Sequence, residues 1–242
     1  MQDRRFMSSS QAQAANIDAG LRSYMLGVYN HMTIGMAITG FFAYLTKIMS
    51  VSEGMLTPFG TAIYASPLKW VIMLAPLGMV FWLSAKVQTM KPESARNLFY
   101  AFAAIMGISL SSLLLVFTGE SVIRVFFLTA ASFSALSIYG YTTKKNLTSF
   151  GSFLIMGLVG LILASIVNIF LASSAMQFII SVVGVLIFAG LTAYDTQRIK
   201  LMYMASDDRG TALKKSIMGA LTLYLDFINM FIMLLQLLGN RE

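Results

Sequence analysis

The chain has 242 residues, of which 57% are hydrophobic and 11% charged, and its mean hydropathy is +0.76. A soluble domain carries about 25% charged residues, so this composition is typical of an integral membrane protein. With 0 Cys and 1 His, disulfides, thiolate metal sites and His-rich metal clusters are excluded. The net charge of +7 would also suit a nucleic-acid-binding protein, but in a membrane protein a basic excess more often reflects orientation. We expect no nucleic-acid partner, and the lipid bilayer as the surroundings of the chain.

The first residues differ in composition from the rest. Residues 1–23 are polar and lack the apolar core and cleavage site of a secretory signal. We therefore expect a polar cytoplasmic tail at residues 1–23, followed by one transmembrane domain at residues 24–242.

Seven apolar stretches follow the tail, and a membrane-spanning helix needs about 20 mainly apolar residues. The run 150–194 is too long for one crossing and divides best at a short polar turn around Ser173, Ser174 and Gln177. The sequence thus predicts an all-α membrane protein with seven transmembrane helices. They are expected at residues 24–46, 68–85, 97–117, 121–141, 150–172, 176–197 and 217–238.

The basic residues indicate how the helices cross the membrane. If the N-terminus is cytoplasmic, all but four of the 17 Lys and Arg residues lie in cytoplasmic segments. The four exceptions are Lys47, Lys69, Arg124 and Arg241. This bias predicts a cytoplasmic N-terminus and a C-terminus outside. A re-entrant seventh segment would move only Arg241, so the charges leave that alternative open.

Asp226 interrupts the seventh apolar stretch. It lies about 15 Å beyond Ser216 along a helix that rises 1.5 Å per residue. An ionisable residue inside the membrane costs at least about 2.5 kcal/mol on insertion scales and usually faces the bundle interior or a wet cavity. Asp226 is either a protonated group that links two helices or a functional carboxylate, and we favour the second interpretation.

Asp195 lies near the cytoplasmic end of the sixth helix. On its own it would be interpreted as one half of a local ion pair with Arg198, three residues later. The sixth and seventh helices are consecutive, however, so Asp195 and Asp226 belong to the same half of the membrane and can face each other. Two close carboxylates in a low dielectric cannot easily both ionise, and they titrate as a coupled pair that shares one proton.

The same two carboxylates are hard oxygen ligands of the kind that Ca²⁺ prefers. Protons and cations would compete for these oxygens. The sequence therefore predicts pH-sensitive binding or gating of a cation by Asp195 and Asp226, with transient Ca²⁺ contact. The direction of the pH effect stays open. We expect no enzymatic step and no cofactor, with Ca²⁺ as the transported ion.

Four further polar residues are candidates for supporting roles. His31 could sense pH or act as a neutral hydrogen-bonding group. Asn168 is expected to be an interhelical hydrogen-bond partner, and Asn229 adds polarity to the helix face that begins at Asp226. Lys86, at the end of the second helix, could supply a countercharge to Asp195 or Asp226, as could Arg198, or could extend towards the membrane surface.

Three sequence stretches are similar to those of a known family. They are "GYTTKKNLTSFGSFL" at 140–154, "GLTAYDTQRIK" at 190–200 and "ALTLYLDFINMFIMLLQLLGN" at 220–240. With them the chain resembles the transmembrane Bax-inhibitor-motif family over nearly all of its length after the tail. The ending "GNRE", where eukaryotic members tend to carry a basic tail, resembles a bacterial inner-membrane member.

This resemblance implies a fold and a function. The last of seven helices is expected to be central in a bundle of the other six, and the protein to be a calcium leak regulated by pH. The family's functional aspartate pair falls on Asp195 and Asp226. The family also has a basic latch residue on the second helix, for which the nearest match is Lys86.

Two other functions compete with the calcium leak. The chain could be a regulatory protein that binds a membrane protease or another membrane partner and protects against stress or cell death, with the N-terminal tail as the binding element. It could also be an intramembrane aspartyl protease that uses both carboxylates. The contexts "YD" and "LD" lack the Gly-rich neighbour expected beside the second aspartate of such a protease. We therefore expect a protein that is not an enzyme.

Overall fold

The computed structural model describes the backbone of residues 9–241 and the side chains of residues 18–241. Seven long helices make up most of this part of the chain, and all seven are long and apolar enough to cross a membrane. The predicted all-α architecture is thus confirmed. The helices are α1 (Ser9–Ser50), α2 (Leu68–Lys86), α3 (Pro92–Leu110), α4 (Gly119–Thr142), α5 (Thr148–Leu171), α6 (Ser174–Leu201) and α7 (Arg209–Leu238).

The connection between α1 and α2 contains the other regular elements. Strands β1 (Val51–Ser52) and β2 (Met55–Leu56) form a small antiparallel hairpin, and its turn places Glu53 and Gly54 at positive φ. A single helical turn at Pro58–Gly60 and a π-helical turn at Thr61–Ala65 follow. These elements lead the chain across the end of the bundle.

Several helix boundaries differ from the sequence prediction, most of all the starts of the first and the last helix. Helix α1 begins at Ser9, so residues 9–23 of the expected tail are helical, while residues 1–8 lie outside the described part of the chain. Helix α7 begins at Arg209 and not near residue 217. Hydropathy locates only the apolar part of a helix, and polar residues can continue the same helix beyond the membrane.

The third helix is also interrupted near its end. Helix α3 ends at Leu110, and a separate short helix follows at Leu113–Val116. The Ser111 hydroxyl donates to the carbonyl of Ile108 at 2.6 Å, a local bond that competes with the regular helical pattern. Three serines, Ser109, Ser111 and Ser112, lie at this point, but serine hydroxyls are common in membrane helices, so hydropathy alone did not locate the break.

Helix α7 is the centre of the bundle, as predicted. It packs against α1, α3, α4 and α6, whereas α2 packs mainly on α3 and α5 mainly on α6. Leu223, Tyr224 and Met230 of α7 are almost completely buried. The Tyr224 ring is edge-on to the rings of Phe99 and Phe102 in α3. A helix surrounded in this way is where a buried polar group is best shielded from lipid.

The two ends of the bundle are chemically different. Helices α2, α4 and α6 end at one end of the bundle, and helices α3, α5 and α7 begin there. We call this the basic end. Lysine side chains join different elements at this end by hydrogen bonds. Lys214 donates to the carbonyl of Gln88 at 2.8 Å, and Lys200 donates to the carbonyl of Tyr141 at 2.7 Å. At the opposite end, the backbone N–H of Thr118 donates to the carbonyl of Asn240 at 2.9 Å. The start of α4 and the end of α7 therefore meet there.

Candidate functional site

Asp195 and Asp226 lie together where α6 packs against α7. Their carboxyl groups are within hydrogen-bonding distance of each other. Both residues are buried, with exposed fractions of 7% and 5%. Antiparallel packing of consecutive helices produces this arrangement, because Ile199 of α6 also lies beside Gly219 of α7 one or two turns nearer the basic end. We call Asp195 and Asp226 the carboxyl pair.

The hydrogen bonding of the carboxyl pair is incomplete without a proton. Among the described residues, the Oδ2 atom of Asp226 is buried and has no donor. Two ionised carboxylates at this distance in a low dielectric would repel strongly, and a carboxylate oxygen can only accept. One proton held between Asp195 and Asp226 would remove the repulsion and turn one carboxyl oxygen into a donor. The shared proton of the pair stays a prediction.

Arg198 lies at the outer side of the carboxyl pair. Its Nη1 atom is 3.7 Å from Oδ1 of Asp195, while its own side chain is 59% exposed. Asp195 is therefore both one half of a local ion pair and one half of the carboxyl pair, because it contacts Arg198 on its own helix and Asp226 on the next. A half-exposed guanidinium is screened by solvent, so we expect it to modulate the carboxyl pair and not to fix its charge.

A nearby glutamine fastens the α4–α5 connection to α6. Gln197 donates from Nε2 to the carbonyl of Lys145 at 2.8 Å and accepts at Oε1 from the N–H of Leu147 at 2.9 Å. Gln197 is two residues from Asp195, so this connection is held close to the carboxyl pair. Sequence reasoning did not select Gln197, although its polar side chain in "YDTQRIK" was the available signal.

A chain of hydroxyl groups also ends beside the carboxyl pair. The Tyr29 hydroxyl lies 2.6 Å from Ser137 Oγ, which in turn lies 2.9 Å from Thr196 Oγ1. Thr196 follows Asp195 directly and donates to the carbonyl of Thr192 at 2.7 Å. These hydrogen bonds connect α1, α4 and α6 one residue away from Asp195. Sequence reasoning also missed this chain, because hydroxyl groups are common on helix faces.

Lys86 and His31 take no described part in the carboxyl pair. Lys86 is exposed at the end of α2, and no ion pair within the described side chains joins it to Asp195 or Asp226. Its position fits an extended side chain at the membrane surface. His31 of α1 bonds through Nδ1 to the hydroxyl of Tyr100 on α3 at 2.8 Å. That hydrogen bond joins α1 and α3, as expected if His31 is a neutral hydrogen-bonding group.

Asn168 belongs to a separate polar cluster at the opposite end of the bundle. Its amide nitrogen donates to Gln177 at 3.3 Å, and Gln177 donates to Gln236 at 2.7 Å. Ser181 also donates to Gln236, at 2.9 Å. Asn168 and Gln236 are thus interhelical partners through Gln177, which joins α5, α6 and α7. We call these four residues the amide cluster.

The interface between the amide cluster and the carboxyl pair is apolar. Met233 of α7 packs against Gly184 of α6, where an added Cβ would lie 2.9 Å from Met233 Cγ. Asn229 lies one turn after Asp226 on α7 and shares with Met233 a cavity of about 340 Å³, which Ser165 of α5 also lines. Within the described residues no hydrogen bond joins Asn229 to Asp195 or Asp226, and its role as a polar partner stays a prediction.

Calcium would find an incomplete shell at the carboxyl pair. Within the described residues, no three or more His, Cys, Asp or Glu side chains converge on a potential metal site. Ca²⁺ takes six to eight oxygen ligands, and two carboxylates supply at most four of them. The arrangement suits a passing ion better than a resident one.

Comparisons with known proteins agree with this architecture. A family model described as "Inhibitor of apoptosis-promoting Bax1" matches residues 21–242. An uncharacterised protein of Caulobacter vibrioides is 47% identical over 231 residues, which cover 94% of this chain and 92% of the relative. The inner membrane protein YbhL of Escherichia coli K12 is 44% identical over 227 residues, with coverage of 93% and 94%. A protein of Rickettsia prowazekii is 45% identical at similar coverage.

Proposed function

This chain belongs to the Bax inhibitor-like family of membrane proteins, and on that premise we propose that it is a pH-sensitive calcium leak channel gated by the carboxyl pair. The observation that carries the proposal is the buried contact between Asp195 of α6 and Asp226 of the central helix α7. We further propose that the protein resides in a bacterial inner membrane with its basic end in the cytoplasm, because Lys and Arg concentrate at that end.

The gating argument begins with the shared proton. Loss of that proton leaves two negative charges in contact, which favours separation of α6 from α7. Gain of a second proton replaces the charge-assisted hydrogen bond between the two carboxyl groups with a weaker neutral one, and it also removes the charge on Asp195 that faces Arg198. Both changes alter the contact between the same two helices, so the leak is expected to depend on pH. Coupling through one proton also explains why the site needs two carboxylates and not one.

The cation path follows from the two polar sites. The amide cluster presents side-chain oxygens at the opposite end of the α6–α7 interface, and the carboxyl pair presents oxygens near the basic end. An ion that enters at the amide cluster must pass Met233 and Gly184 to reach Asp226. Movement of α6 relative to α7 would open this apolar section, and the incomplete oxygen shell at the carboxyl pair would let the ion leave.

The test is calcium flux into vesicles that contain the purified protein, measured across a range of pH. Asp195→Asn and Asp226→Asn replace a titrating carboxyl with an amide of the same shape that can still donate to the partner. We expect the pH dependence to become flat in both variants, so that the ratio of the highest to the lowest flux falls to about one.

The matched control is Glu53→Gln, which changes an exposed carboxylate in the hairpin turn at the opposite end. That variant should keep the full pH profile. If Asp195→Asn and Asp226→Asn both retain the flux and the pH profile of the parent protein, the carboxyl pair is not the gate and the proposal fails.

A further inference from the structure

A deep groove lies between α1 and α4 on the side of the bundle. It has a volume of about 740 Å³ and runs from Arg22 to Met36 on α1 and from Tyr141 to Phe126 on α4. Phe227 of α7 forms part of its floor. We call it the lateral groove. Its volume is within the range of about 300–1,000 Å³ that is typical of small-molecule sites.

The lateral groove opens towards the bilayer. Leu26 and Ile138 on its walls are 52% and 63% exposed, whereas Phe133 and Phe227 at its floor are buried. Both walls belong to helices that are apolar enough to span the membrane, so the opening faces lipid. The stretch from Arg22 to Met36 covers about 21 Å of helix axis. Half of a bilayer's hydrocarbon core is about 15 Å, so the groove can hold one acyl chain of one leaflet along its length.

Charge distinguishes the two ends of the lateral groove. Arg22 lies at the end nearest the basic end of the bundle, and Tyr141 lies opposite it on α4. The lining contains no carboxylate, and among the described side chains Arg22 takes part in no ion pair. A guanidinium presents several donors in a fork that matches phosphate oxygens. The remaining lining is dominated by apolar side chains, so the complementary ligand has an anionic head and a long apolar tail.

We infer that the lateral groove binds an anionic phospholipid from the leaflet at the basic end, with one acyl chain between α1 and α4 and the phosphate against Arg22. The sideways opening admits a molecule that already lies in the membrane, and the positive charge of Arg22 selects an anionic head group. An acyl chain would also add dispersion contacts with the apolar walls of the groove.

The position of the lateral groove connects this lipid with the centre of the bundle. Tyr29 and Ser137 line the groove, and the hydroxyl chain continues from them to Thr196 beside Asp195. Phe227 at the floor follows Asp226 directly. A bound lipid would therefore contact Phe227, which follows Asp226, and the two hydroxyl groups that lead to Thr196, which follows Asp195. Lipid binding itself does not depend on the proposed calcium leak and can be tested without measuring flux.

The experiment is native mass spectrometry of the purified protein with added phosphatidylglycerol or phosphatidylcholine, and it compares the affinity for the first bound lipid. The parent protein should prefer the anionic lipid. Arg22→Gln should reduce this preference by about fivefold, the effect of one basic residue near an anionic head group. Lys144→Gln is the matched control, since it removes an exposed basic residue at the same end but outside the groove, and it should keep the preference.

A second pair of variants tests the position of the acyl chain. Ser134→Trp places a large ring in the lateral groove, while Val159→Trp places the same ring on the exposed surface of α5. We expect only Ser134→Trp to lose tight binding of the first lipid. Arg22→Gln needs no buried change, so it remains informative if Ser134→Trp does not fold.

Two results would overturn the inference. Equal lipid binding by Ser134→Trp and Val159→Trp would mean that the lipid is merely part of the surrounding annulus. A parent protein that binds no tight lipid and is a dimer, with Ser134→Trp a monomer, would mean that a second copy of the chain fills the groove.

Discussion

Arg198 and Asp195 form an ion pair of 3.7 Å at the outer side of the carboxyl pair, with the guanidinium largely in solvent. Arg198 favours the ionised form of Asp195, and so we expect it to help set the pH range in which the proposed calcium leak changes. Arg198→Gln should move the midpoint of the flux profile to higher pH by a fraction of a pH unit, since an exposed ion pair contributes little. Flux measured in vesicles against pH checks this shift.

Lys200→Gln is the control for that experiment. Lys200 is on the same turn, but its Nζ atom bonds to the carbonyl of Tyr141 and not to a carboxylate. Its replacement should leave the midpoint unchanged. A midpoint that does not move in Arg198→Gln would show that Arg198 has no influence on the carboxyl pair.

Gln197 makes two hydrogen bonds to the α4–α5 connection, which we call the clamp. We expect the clamp to keep the proposed gate at the carboxyl pair closed. Gln197→Ala removes both bonds to the α4–α5 connection and leaves the N–H of Leu147 and the carbonyl of Lys145 without these partners. An unsatisfied buried group costs about 1–3 kcal/mol. We expect a lower thermal stability and a raised calcium leak at every pH. Thermal unfolding in detergent and vesicle flux measure the two effects.

Gln197→Glu separates the two bonds of the clamp. The glutamate keeps the acceptor for Leu147 but loses the donor for Lys145. Its stability should therefore lie between those of the parent and Gln197→Ala. An unchanged leak in both variants would contradict a role of the clamp in gating.

The sequence predicted the seven spans, which the structure confirms, and it predicted the pairing of Asp195 and Asp226; physical reasons separate both from the contacts that it missed. Apolar length identifies spans, and consecutive helices with short loops must be antiparallel neighbours, so the two aspartates had to share one half of the membrane. The clamp of Gln197 depends on contacts about fifty positions apart in the chain, with Lys145 and Leu147. Periodicity carries no information on such contacts.

The lateral groove and the starts of the helices were also missed, because hydropathy and periodicity carry no information on how helices pack or where they are capped. The groove lies between α1 and α4 over Phe227 of α7, so it depends on how α1 and α4 each pack against α7. The early start of α7 at Arg209 depends on capping by Asp208, whose side chain accepts from the N–H groups of Gly210 and Thr211. Hydropathy does not register a cap, although an aspartate before a Gly and a Thr was a usable signal.

Close packing of α4 on α6 depends on a glycine. A methyl group at Gly140 would overlap the carbonyl of Ala193, two residues from Asp195. Gly140→Ala should therefore lower the stability by roughly 1–3 kcal/mol, the usual cost of overpacking. Gly160→Ala is the matched control, because open space surrounds Gly160 on α5 and alanine is the better helix former. Thermal unfolding of both variants decides, and equal melting temperatures would contradict the close contact.

The bond between His31 and Tyr100 should contribute to stability and not to pH sensing. Tyr100→Phe removes the hydroxyl that lies 2.8 Å from His31 Nδ1 and should cost about 0.6 kcal/mol, the average for such bonds between membrane helices. His31→Gln should leave the pH profile of the calcium flux unchanged. A profile that shifts in His31→Gln would show that the carboxyl pair is not the sole sensor.

The N-terminal cap of α7 should give the protein an acid-dependent part of its stability that is separate from gating. Asp208 accepts at Oδ2 from the Thr211 hydroxyl at 2.7 Å and at Oδ1 from the N–H groups of Thr211 and Gly210. These bonds, first that of the hydroxyl, lower the pKa of Asp208 below its ordinary value of 3.8. A lowered pKa in the folded protein means that folding favours the ionised form.

The sign of the pH effect follows from that pKa. The stabilisation by Asp208 is complete above the ordinary aspartate pKa and is lost as the pH falls through the lower value of the folded protein. Asp208→Ala should therefore lower the melting temperature by a few degrees at neutral pH, with a difference from the parent that shrinks in acid. Asp208→Asn keeps a neutral acceptor and should lie between the two, without the acid-dependent part. Thermal unfolding in detergent at neutral and acidic pH tests this, and an equal difference between Asp208→Ala and the parent at both pH values would contradict a charged cap.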